Sequence, residues 1–174
     1  MQNNIYEARD KIRLLLNESG KYGYLPSLPH LDLVLTSEEQ CENYTRLEIS
    51  LRLFLVGEIS FPVTLKIPKD GKAPLCIFAL DGPPCEREGY GAFFFTSDLA
   101  LFTRLGFRSV FKRSRKRSPE CDRAAAVAYA ILACFDALLL ISKRDADNIC
   151  VFTSGEFTKS AVIASSFDGR LVIK

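Results

Sequence analysis

Two stretches of strict alternation constrain this chain more than any other feature. Leu47, Ile49, Leu51, Leu53 and Leu55 alternate with Arg46, Glu48, Ser50, Arg52 and Phe54. After Gly57, the residues Ile59, Phe61, Val63, Leu65 and Ile67 alternate with Ser60, Pro62, Thr64 and Lys66. A period of two sends every second side chain to one face of an extended strand, so the pair predicts an antiparallel hairpin with one buried face. Pro62 has no N–H to give to a ladder, which predicts an edge or a bulge at that point. Asp70-Gly71 supplies the next turn.

Beyond Pro74 the pattern changes. Leu75 to Leu80 is a short continuous apolar run, as a strand covered on both faces requires. Ser97 can cap a helix over Asp98 to Leu105 that Gly106 ends, and Phe107 to Phe111 reads as a strand. The alanine-rich run Ala124 to Ile141 reads as a buried helix. Ile149 to Thr153 follows as a strand, Phe157 to Phe167 as a helix, Asp168-Gly169 as a turn and Leu171 to Ile173 as a last strand. Alternating strands and helices imply right-handed crossovers and a mostly parallel sheet. The expected fold class is therefore α/β with an antiparallel start. Residues 1–44 are read as an amino-terminal helix (Ile5 to Leu16) and a linker (Tyr22 to Pro29), and 45–174 as the sheet domain.

A chain of 174 residues with 48% apolar content suits one domain with a sizeable core. A formal charge of +2 predicts no general affinity for nucleic acid. Glu7, Arg9, Asp10, Lys11 and Arg13 interrupt the first fifteen residues, which form no apolar signal-peptide core, so the expected location is cytoplasmic. Ala124 to Ile141 is about the minimum length for a membrane span but contains Asp136 and many alanines, so no membrane span is expected. Six cysteines lack any C-x-x-C pair and the chain has one histidine, His30. Reduced, mostly buried thiols are expected, with no metal and no cofactor.

The order of these elements resembles that of the α/β-hydrolase superfamily. "FPVTLKIPKDGKAPLCIFALDG" is similar to the esterase region where a strand ends in Ile-Pro and a second apolar strand runs toward the oxyanion loop. "LALFTRLGFRSVFKRSR" resembles its helix followed by a Gly-aromatic strand. "DADNICVFTSGEFTKSAVIASSFDGRLVIK" resembles the segment in which a nucleophile-bearing turn leads into a helix and then Asp-x-Arg. The likeness covers about residues 45 to 174, and its flavour is that of carbohydrate esterases and dienelactone-hydrolase-like proteins. It implies a three-layer sheet whose carboxyl-terminal part is missing.

That family places its serine on a sharp strand-to-helix turn, G-x-S-x-G, where small neighbours permit close packing and a following N–H holds the oxyanion. Here the turn reads Thr153-Ser154-Gly155-Glu156-Phe157. Counted back from Asp168 and Arg170, Gly155 stands where the serine belongs, and Thr153 and Phe157 stand at the glycine positions. A one-residue slip would bring Ser154 to the apex, between the bulky Phe152 and Glu156, so Ser154 is the one alternative nucleophile. Ser160, Ser165 and Ser166 fall in or at the end of the next helix. The family's acid and histidine follow the last strand read here, whereas His30 precedes the sheet. Without a base a serine hydroxyl is a poor nucleophile near neutral pH. Gly82, in Asp81-Gly82-Pro83-Pro84, is the candidate oxyanion donor, since the two prolines have no N–H.

Lys112, Arg113, Arg115, Lys116 and Arg117 make the strongest charge feature. They follow a predicted strand's carboxyl end, the side where open α/β sheets bind ligands, and form a candidate anion-binding loop. No aromatic is interleaved, so single-strand stacking is not expected. Three readings result: a catalytically silent, degenerate or shortened esterase relative; a small carboxylic or carbohydrate esterase using Ser154 on a small-molecule ester; or an anion-binding interaction module using the basic loop. The first also predicts self-association through an exposed sheet edge at Leu171 to Ile173.

Overall fold

The alternation at residues 47–67 becomes the centre of an antiparallel meander. In the computed structural model, which describes residues 32–54, 58–80, 89–96, 119–144, 148–153 and 157–174, β2 (Tyr44–Phe54) and β3 (Glu58–Pro68) pair without a break in register. Ile49, Leu51, Phe61, Val63 and Leu65 point into the main core, and Leu47 and Ile67 pack against it. Their alternate neighbours carry the polar chemistry: the Thr64 hydroxyl donates to Glu48 Oε2 at 2.8 Å, and Arg46 meets Glu48 at 2.8 Å. Pro62 faces Ser50 in unbroken register, yet lies outside the pairing of β3 with its other neighbour, which covers Thr64 to Lys66. Its missing N–H thus falls at a locally open edge, as its chemistry demands.

β1 (Asp32–Gln40) extends the meander within the segment read as helix and linker. Its pairing with β2 is irregular between Leu35 and Ser37, and the intervening Thr36 hydroxyl donates to the Glu48 carbonyl at 2.7 Å. The sequence Ser37-Glu38-Glu39-Gln40 has no apolar alternation, and among the described residues this strand borders the sheet. Charges and a bulge on such a strand discourage pairing with another chain.

Seven strands of the described residues form one sheet in the order β1-β2-β3-β5-β4-β6-β7. β4 (Leu75–Leu80), β5 (Tyr90–Phe95), β6 (Ile149–Thr153) and β7 (Leu171–Ile173) are parallel, and β5 joins them to the meander by pairing antiparallel to β3. The strands expected at Leu75–Leu80, Ile149–Thr153 and Leu171–Ile173 are present at those residues. β5 was not anticipated. The strand expected at Phe107–Phe111 and the helix at Asp98–Leu105 lie outside the described residues.

Among the described residues, two helices cover one face. α1 (Pro119–Ser142) begins on a proline, whose fixed φ suits a first helical turn. It is buried on every side from Val127 to Phe135, which accounts for its lack of a polar stripe. Among the described residues no helix is long and apolar enough to cross a membrane. α2 (Thr158–Phe167) packs beside α1 and leads through Asp168 to β7. The opposite face has a smaller cluster of Phe78, Leu80 and Phe93. There one register row crosses the sheet from Glu48 through Thr64, Phe93 and Phe78 to Phe152. The three rings stack, with Phe78 centred 4.5 Å from Phe93 and 5.1 Å from Phe152.

The Asp-x-Arg triplet fastens α1 to the α2–β7 turn. Arg170 holds Asp168 through two contacts, at 2.6 and 3.0 Å, and its guanidinium lies 4.6 Å from the centre of the Phe135 ring. Asp136, next along α1, is half-buried. Burial first, and then the Asp168 charge, push its carboxyl above the usual range against an opposing pull from Arg170. The Tyr129 phenol on the same helix is raised by burial and then by Asp136. A carboxyl whose folded pKa is raised binds its proton more tightly when folded, so stability falls as pH rises from the unfolded value through the folded one. Asp136→Asn is therefore expected to melt at a higher temperature than the parent at pH 7 and together with it at pH 3. Circular-dichroism melts at the two pH values check this, and equal melting at pH 7 contradicts it.

Candidate functional site

The parallel strands all end on one side, and ligands in open α/β sheets bind outside such ends. β4 closes there at Leu80, β5 at Phe95 and β6 at Thr153. Thr96, fully buried, donates from its hydroxyl to the Leu80 carbonyl at 3.0 Å and so locks the ends of β4 and β5 together. Phe152 lies against Phe78 on the smaller-cluster face, whereas Val151 faces the main core. Thr153 is half-buried. Beyond three intervening residues the chain re-enters the core at Phe157, 2% exposed, at the start of α2. The segment 154–156 therefore spans a strand-to-helix connection at the expected place.

Ser154, Gly155 and Glu156 themselves lie outside the described residues, as do Gly82, the basic residues Lys112, Arg113, Arg115, Lys116 and Arg117, and His30. The serines of α2 are within them. Ser165 donates to the Val162 carbonyl at 3.0 Å and Ser166 to the Ile163 carbonyl at 2.6 Å, the back-bonding habit of helical serines. Ser160 is fully buried and its hydroxyl has no hydrogen-bond partner among the described residues.

The cysteines Cys41, Cys76, Cys134 and Cys150 are free thiols. Cys134 is fully buried in α1, and burial pushes its thiol up, so it packs as a small apolar side chain. Among the described residues no group of three or more His, Cys, Asp or Glu side chains could hold a metal ion.

Sequence reasoning missed Thr96 and the strand before it. The signal was available in Gly89-Tyr90-Gly91-Ala92-Phe93-Phe94-Phe95, a Gly-aromatic start followed by an apolar run.

No family model matches the chain, and no curated protein does. Solved structures do. A glucuronoyl esterase from Teredinibacter turnerae superposes with a TM-score of 0.62 at 18% identity, over 85% of this chain and 46% of the other. A glucuronoyl esterase from Solibacter usitatus gives a TM-score of 0.66 at 20% identity, and a second structure of that description 0.65 at 18%, each over 94% of this chain and 55% of the other. The chain thus spans about half the length of these structures. At such identities the likeness is one of fold. Meander, parallel strands and covering helices together give this chain an α/β-hydrolase-like fold that resembles the glucuronoyl-esterase branch.

Proposed function

We propose that this chain is an α/β-hydrolase-like protein without esterase catalysis of its own. One observation carries the reading: Phe157 fills the core at 2% exposure where the hydrolase turn has glycine. An elbow needs that glycine so that strand and helix can approach and leave the nucleophile strained and exposed. With Phe157 as the second flank and Thr153 as the first, the middle position falls on Gly155, which has no side chain to attack a carbonyl. The one imidazole, His30, precedes β1 in sequence rather than following the turn.

Two assays test this, one with p-nitrophenyl acetate and one with a methyl ester of a glucuronate, the substrate class suggested by the names of the similar esterases. Parent and Ser154→Ala are expected to give equal rates at the buffer background. Turnover by the parent that the substitution removes would establish the esterase reading instead, with Ser154 as nucleophile and a small ester as ligand.

On the same reading, self-association would run along β7, which stands last in the strand order of the described residues and whose Val172 is 39% exposed, so that a second copy could add a strand.

A further inference from the structure

We propose that Cys76 and Cys150 form a two-sulfur site for a soft monovalent cation of the copper(I) type, on the sheet face opposite α1 and α2. Cys76 on β4 and Cys150 on β6 are register partners on adjacent parallel strands. Ile77 and Val151, their neighbours, point into the main core, so alternation sends both thiols to the other face. Both are half-buried rather than enclosed. On the β5 side the same register row continues to Gly91, which has no side chain to crowd Cys76. Cys76 packs against the cluster of Phe78, Leu80 and Phe93.

Spacing decides what such a pair can bind. Adjacent strands lie about 4.8 Å apart, and side chains from paired residues on one face leave nearly parallel. A disulfide needs its Cβ atoms about 3.5–4.5 Å apart, so a direct sulfur–sulfur bond would require the strands to pinch. Two opposed copper(I)–sulfur bonds, each no longer than the roughly 2.3 Å of a zinc–thiolate bond, span roughly 4–4.6 Å, comparable with the spacing of about 4.8 Å between adjacent strands. Thiolate pairs select soft ions such as copper(I). On binding, two S–H bonds break, two copper–sulfur bonds form, two protons pass to solvent and no atom changes oxidation state. The product has a net charge of −1.

The reduced full chain, kept free of oxygen, is titrated with copper(I) in competition with the chelator bathocuproine disulfonate. One copper per chain is expected, with affinity reduced more than about 100-fold in Cys76→Ser and in Cys150→Ser and unchanged in Cys41→Ser. Because a serine variant could fold poorly, the unsubstituted chain provides a second readout. Bound copper should protect Cys76 and Cys150 from N-ethylmaleimide while Cys41 still reacts, as mapped by mass spectrometry. Absence of copper binding, parent-like affinity in both serine variants, or protection at Cys85 or Cys121 in place of this pair overturns the proposal.

Discussion

Gly91→Ala is expected to abolish stable folding. Gly91 lies at the joint of the sheet, paired with Lys66 on antiparallel β3 and with Cys76 on parallel β4. Its φ of +134° is one that residues with a side chain rarely adopt, and it swings the position of a Cβ into the plane of the neighbouring strand. That Cβ would lie 1.8 Å from the Cys76 carbonyl oxygen and 2.6 Å from the Cys76 nitrogen. Both are backbone atoms, so no side chain can turn aside to make room. Relief requires β4 and β5 to separate, which would break the link between meander and parallel half. A loss above about 4 kcal/mol is expected, comparable with the entire stability of many domains. Gly71→Ala is the control, because its φ of +67° is also positive but its Cβ would meet only the end of the Arg144 side chain at 4.0 Å. That exposed turn should lose about 1 kcal/mol, the ordinary cost of a left-handed alanine. Chemical unfolding of both variants, with soluble yield for the first, measures the contrast. A Gly91→Ala protein that unfolds at the parent's midpoint would contradict the argument.

Phe157→Ala is expected to cost about 3–5 kcal/mol and to confer no ester hydrolysis. The ring is among the largest fully buried side chains and begins α2 inside the main core. Truncation leaves a cavity that helix and sheet can only partly close. Phe157→Gly should be worse by a further 1 kcal/mol or so, since glycine leaves the helix start less constrained. Glycine there would restore one flank of the hydrolase turn, yet the middle position would still have no nucleophile. Urea unfolding and the p-nitrophenyl acetate rate check the two parts separately. A loss under about 1 kcal/mol would show that the ring is not the anchor described, and ester turnover in the glycine variant would show that the turn's register is different.

The sequence by itself determined several elements whose pattern is local. Alternation over 47–67 located β2 and β3 and the face that each buries, and the fate of Pro62 followed from its missing N–H. Uninterrupted apolar runs located β4, β6 and β7, and a helix without a polar stripe had to be buried, as α1 is. The family resemblance arose from that order and agrees with the fold seen in the glucuronoyl esterases.

Tertiary structure alone decided the rest. β1 has no apolar alternation, since a bordering strand needs backbone hydrogen bonds more than a buried face, and only its register with β2 identifies it. β5 is recognised by lying between β3 and β4, and the need for glycine at position 91 comes from a carbonyl fifteen residues earlier in the chain. Cys76 and Cys150 are unrelated in sequence and become neighbours because β4 and β6 pair in parallel. Local patterns report what one segment requires of its own faces. Which segments meet is fixed by long-range hydrogen bonding and packing, and no single stretch of sequence contains that information.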